Sequence, residues 1–185
     1  MTRAELLQLL VGGAAVGAAA PSLAEAKAAE QGAPTGVEAR LHRLEARGDI
    51  HDLMMAYGRT LDRRDFQGFA DLWAEDAEYV QGAGVAAKGP AAIRALLEKA
   101  FSNNAAGVKD PNFHVFFNEA IGPVEADRAT AYSRSAFVAA GADGKLDVVV
   151  TAHYDDAFIR VGGRWKFLRR VIGADRAAGA LSTQK

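Results

Sequence analysis

Asn112-Phe113-His114-Val115-Phe116-Phe117-Asn118-Glu119-Ala120-Ile121 reads as a β-strand. It is rich in aromatic and β-branched residues, with Asp110-Pro111 before it and Gly122-Pro123 after it, the punctuation that bounds strands. Side chains alternate along a strand, so His114, Phe116 and Asn118 share one face while Val115, Phe117 and Glu119 take the other. A buried imidazole or amide needs a hydrogen-bond partner. His114 therefore either meets a backbone carbonyl in the core or is held by another polar side chain in a pocket.

After this stretch come three more strand patterns, Arg128–Ala140, Leu146–Arg160 and Arg164–Ile172. The separators are Gly122-Pro123 to Asp127, Gly141-Ala142-Asp143-Gly144 and Gly162-Gly163. Separators this short make hairpins, so the four strands form an antiparallel meander. The chain before Pro111 has a different pattern. Leu41, Leu44, Ile50, Leu53, Met54, Tyr57 and Leu61 recur at mostly helical spacing within Val37–Arg63. A short helix is expected over Phe66–Ala74, a short strand over Glu78–Gln81 and a flexible turn at Gly82-Ala83-Gly84. A third helix, Ala91–Phe101, opens on Gly89-Pro90. Helices followed by a meander imply an α+β fold, the helices packed on one face of the sheet.

The 185 residues suggest one domain with extensions, and half are hydrophobic, enough for a real core. Twenty-two basic and 23 acidic residues nearly cancel, leaving no basic field for nucleic acid. No cysteine is present, which excludes disulfides, thiolate zinc sites and a cysteine nucleophile. No two histidines have metal-ligand spacing, so neither a metal nor a cofactor is expected. No apolar run reaches the ~20 residues of a membrane span.

Residues 1–26 resemble a targeting segment: Arg3, an apolar run from Leu6 to Ala20, Pro21, then small residues at Ser22-Leu23-Ala24 or Ala24-Glu25-Ala26. Export to the periplasm is the expectation, and an N-terminal arm on a cytoplasmic protein is the alternative. Residues 27–37 are a linker, 38–173 the domain and 174–185 a frayed tail.

Four motifs in order carry a family resemblance. They are Tyr57-x4-Asp62-x2-Asp65, Leu72-Trp73-x2-Asp76-Ala77, His114-x3-Asn118 and Tyr154-x-Asp156-x3-Arg160-x4-Trp165-x-Phe167. Together, over residues 38–172, they resemble the SnoaL-like branch of the nuclear-transport-factor-like superfamily. That superfamily also includes scytalone dehydratase and hexachlorocyclohexane dehydrochlorinase. The resemblance implies a cone-shaped α+β barrel, its helices on the concave face of a curved, mainly antiparallel sheet. It also implies a deep apolar cavity and a homodimer or homotrimer.

In the dehydratase and the dehydrochlorinase an aspartate on the first long helix pairs with a histidine on the strand quoted above. The matching residues are Asp62 and His114. A carboxylate on one imidazole nitrogen fixes the tautomer and leaves the other nitrogen free as a base. Tyr57 occupies the position of a polar cavity residue in the dehydrochlorinase. It would donate to a leaving oxygen, carry a proton if its pKa is lowered, or simply be core. Tyr154, Phe116, Asn118, Trp73 and Phe137 are expected to line the substrate cavity. His42 and His51 are expected to be solvated, and Arg169 and Arg170 either to bind an anion or to be solvated. The dehydratase's tyrosine before the aspartate is Leu61 here, and its second cavity histidine falls near Ala139, so its particular chemistry is not implied. The set that remains suits a cofactor-independent lyase acting on a small aromatic or polycyclic molecule. Bacterial enzymes that release formaldehyde from lignin-derived dimers have a similar layout. The alternatives are an isomerase or hydrolase with the same base, or a non-catalytic small-molecule-binding dimer module.

Overall fold

The computed structural model describes residues 36–82, 84–101, 109–141 and 143–177. The targeting segment expected at residues 1–26, the linker up to residue 35, the loop at 102–108 and the tail beyond 177 lie outside the described residues. The elements in chain order are α1 (Val37–Asp62), α2 (Phe66–Ala70), β1 (Trp73–Gln81), β2 (Gly84–Lys88) and α3 (Pro90–Phe101). The long strands β3 (Lys109–Val124), β4 (Arg128–Ala140), β5 (Leu146–Val161) and β6 (Arg164–Ala177) follow.

All six strands belong to one sheet, ordered β2-β1-β6-β5-β4-β3. Every pairing is antiparallel except β1 with β6. The expected meander is therefore β3 to β6, and the curled sheet with helices on its inner face is the α+β cone. Turn chemistry explains the tightest corner. Gly162 and Gly163 have φ of 57° and 82°, and Val161 pairs with Arg164 across them. A two-residue hairpin turn with positive φ at both positions matches the twist of its strands.

Burial alternates along β4 and β5. Ser133, Ser135 and Phe137 on β4 face inward with Ala152, Tyr154, Asp156 and Phe158 on β5. α1 lies across this face. Gly58 makes the approach possible, because a Cβ there would sit 2.6 Å from Cε2 of Phe116. An aromatic group closes the core: Tyr57, Phe69, Trp73, Phe158 and Phe167 are all nearly inaccessible. Each such side chain contributes about 1.5–3 kcal/mol on burial.

Four local expectations need correction. The second helix ends at Ala70, not Ala74, because Trp73 already pairs with Phe167 on β6. β1 therefore spans Trp73–Gln81 rather than Glu78–Gln81. The glycine-rich turn after it leads into β2, which pairs back on β1. Backbone pairing with β5 carries β6 on to Ala177, past the expected end at Ile172.

Candidate active site

Asp62 is the last residue of α1. A carboxylate at a helix C-terminus opposes the helix dipole, at a cost of about 0.3–1 kcal/mol. Contacts from β3 offset this. Nδ1 of His114 lies 2.6 Å from Asp62 Oδ1, and the His114 backbone N–H donates to the two carboxylate oxygens at 3.2 and 3.1 Å. β3 is an edge strand, so this N–H has no neighbouring strand on its open side and the carboxylate satisfies it. The His114 side chain is 8% exposed and that of Asp62 22%, so water competes little for the contact. Asp62 engages Nδ1, which leaves Nε2 as the unengaged ring nitrogen.

His114 forms one wall of a narrow pocket. Tyr57 and Leu61 from α1, Tyr79 from β1, Phe101 from the end of α3, and Phe137, Val150, Ala152, Tyr154 and Ile172 from the sheet line the rest, with Ser135. About 20 Å³ is open to the centre of a water molecule, room for one or two waters. The lining is apolar apart from His114 and a few hydroxyls. Tyr57 Oη lies 3.1 Å from Tyr79 Oη, and Tyr154 Oη 2.9 Å from Ser135 Oγ. Burial pushes the pKa of Tyr57, Tyr79 and Tyr154 up. These phenols stay protonated and act as hydrogen-bond donors, so Tyr57 is not a lowered-pKa proton carrier.

Behind the tyrosines lies a buried ion pair. Arg170 donates from Nε and Nη2 to the two oxygens of Asp156, each at 2.7 Å, and both side chains are inaccessible. The guanidinium carbon sits 4.0 Å from the centre of the Tyr57 ring and 4.3 Å from that of Tyr154. Burial alone would lower the pKa of Arg170, but Asp156 and its hydrogen bonds raise it above the usual arginine value. A fixed cation under two phenol rings polarises them.

Tyr57, Tyr154, Phe137, His114 and Leu61, the residue before Asp62, thus converge on one space. Phe116 stands at its margin, its ring 6.4 Å from Tyr57 and 5.9 Å from Tyr154. Trp73 lies in the core behind Tyr57, off the lining. Asn118 is a correction: it is exposed, at φ 52°, inside a bulge between Phe117 and Ala120. One extra residue shifts the alternation, which turns Glu119 inward to His51 at 2.9 Å. His51, half-exposed, thus also contacts Glu119 across on the sheet, whereas His42 sits exposed among Glu38 and Glu45. Arg169 is half-exposed beside Glu78. Arg170 is buried rather than solvated because β6 carries its own irregularity: Phe158 pairs with Phe167, but Ala157 pairs with Arg169. Sequence reading missed Tyr79, Ser135, Phe101 and the Arg170–Asp156 pair. Of these, Tyr79 and Ser135 were legible from strand alternation alone.

Among the described residues no group of three or more histidine, aspartate or glutamate side chains is placed to hold a metal ion. None of their helices is long and apolar enough to cross a membrane.

Comparison with known proteins places this fold. An NTF2-like protein with a cystatin-like fold from Novosphingobium aromaticivorans is 32% identical with a TM-score of 0.66, over 79% of this chain and 93% of its own. Hexachlorocyclohexane dehydrochlorinase LinA-type3 from Novosphingobium barchaimii is 26% identical with a TM-score of 0.60, over 76% of this chain and 95% of its own. A scytalone dehydratase-like protein from N. aromaticivorans has the same fold at 22% identity and a TM-score of 0.60, over 77% of this chain and 97% of its own. No curated protein matches the sequence. The SnoaL-like domain matches residues 42–171, most of the chain and every element that builds the pocket, and this protein therefore belongs to the SnoaL-like family.

Proposed function

We propose that the protein is a cofactor-independent lyase that removes a proton and a neighbouring leaving group from a small aromatic or polycyclic molecule. The observation that carries this is the 2.6 Å contact between Asp62 and His114 on the wall of an otherwise apolar pocket. Nε2 of His114 takes the proton from carbon. The C–H electron pair becomes the new π bond, and the leaving group departs with its own electron pair. Asp62 accepts from Nδ1–H, holds the tautomer and stabilises the imidazolium that forms. A neutral Tyr57, backed by Tyr79 and Arg170, donates a hydrogen bond to the departing oxygen or halide. Tyr154, Phe137 and the margin residue Phe116 supply the apolar and aromatic surface for the substrate, whose entry requires the lining side chains to part, since the space now admits only one or two waters. The dehydrochlorinase relative, which by its name performs an elimination, supports the same reaction class.

The test is a panel of aromatic compounds carrying a β-hydroxyl or β-halide group next to a C–H, assayed for release of water or halide. For the compound turned over, His114→Ala should abolish activity with the fold retained. Asp62→Asn should lower the rate by about 10²–10⁴, as loss of an orienting carboxylate does. A His114→Ala protein with the wild-type rate refutes His114 as the base, whereas no turnover of any compound in the panel leaves a binding module.

A further inference from the structure

The Asp62–His114 contact joins residues 52 apart in the chain, and neither α1 nor β3 alone sets its length. Arg64, two residues after Asp62, bridges the two elements. Its Nη1 donates to the Leu61 carbonyl at 2.6 Å, and its Nη2 to Asn112 Oδ1 at 2.8 Å, two residues before His114. Asn112 Nδ2 donates to Asp110 Oδ1 at 2.6 Å. That bond fixes the amide with its oxygen toward Arg64. The guanidinium also covers the ring of Phe101 at 4.3 Å, and Phe101 lines the pocket. The backbone of Arg64 has φ 58°, a left-handed conformation that side chains with a Cβ seldom adopt. Such a conformation persists where surrounding contacts over-determine it.

We propose that Arg64 is a positioning residue, tying the last turn of α1 to the start of β3 and so holding Asp62 against Nδ1 of His114. This deepens the reading of Asp62 and His114 as an orienting carboxylate and its base, and rests on it. Arginine suits the task because its rigid fork serves two acceptors at once, which a lysine cannot do with the same geometry.

Long-range ¹H–¹⁵N correlations of the His114 ring in the full-length protein report which nitrogen carries the proton, without any substrate. Arg64→Gly removes the bridge and relieves the left-handed backbone. Asn112→Ala cuts the bridge while Arg64 keeps its bond to Leu61. With thermal melts confirming the fold, the Nδ1 and Nε2 shifts should move toward each other in both variants as the two tautomers mix. Retention of the wild-type shifts in both overturns the proposal. Should Arg64→Gly fail to fold, Asn112→Ala decides alone. A wild-type ring with its proton on Nε2 would instead sink the base assignment, whereas the change between wild type and variant tests Arg64.

Discussion

Gly58 concentrates a conflict between local propensity and packing at one residue. Alanine there would favour the helix by about 1 kcal/mol, since glycine is the poorer helix former. Its Cβ would, however, sit 2.6 Å from the Phe116 ring, which is wedged between α1 and the rings of Tyr57 and Tyr154. Packing should win. Gly58→Ala is expected to lose about 1–3 kcal/mol, as overpacked cores do, and Phe116→Leu in the same chain should recover part of it. Urea unfolding measures both. A Gly58→Ala protein as stable as wild type would mean that Phe116 swings aside freely.

Among the elements, β3 holds the site, and of its three register shifts the bulge at Asn118 separates the stretch carrying His114 from the one after it. Before the bulge, His114 and Phe116 face the helix; after it, Glu119 and Ile121 do, Ile121 pairing with the buried Ala131. Asn118 makes the switch because asparagine tolerates the left-handed region better than most residues. A β-branched residue does not. Asn118→Val should therefore cost about 1–2 kcal/mol, while Asn118→Gly should remain near wild type. Denaturant midpoints at equal slope would show this, and an unperturbed Asn118→Val would mean that the bulge is not anchored there. The same local geometry explains how much of the site was legible. Asp62 closes a regular helix and His114 lies in the unbroken register from Asn112 to Phe117, where helical and strand spacing hold. Asn118 and Arg170 lie at or beyond bulges, where counting by twos misplaces the side chain.

At the scale of the molecule, the buried tyrosines make stability depend on alkaline pH. Burial raises the pKa of Tyr57, Tyr79 and Tyr154 above the unfolded value of 10.0. Between the unfolded and folded pKa values the folded state keeps protons that the unfolded state has lost. Their contribution is fully present below pH 10.0 and is lost as pH rises above it. Each tyrosine steepens the fall by up to ~1.4 kcal/mol per pH unit. Thermal midpoints should hold up to about pH 10 and drop above it. The drop should be shallower in Tyr79→Phe, compared with its own midpoint below pH 10. An equal slope in that variant would place the alkaline transition elsewhere.

The sequence alone determined the long first helix, the third helix and the four strands after Pro111, because apolar periodicity and turn residues act within a few positions. It also determined the α+β order, whereas the pairing of Asp62 with His114 was an expectation from the family resemblance of the motifs around them. Only the tertiary structure decided the parallel contact of β1 with β6, the inward turn of Arg170 and the outward turn of Asn118. The reason is that strand pairing is a long-range choice. Which neighbour a strand takes, and where one extra residue is inserted against it, depends on a partner far away in the chain, and every side chain beyond the insertion changes face with it.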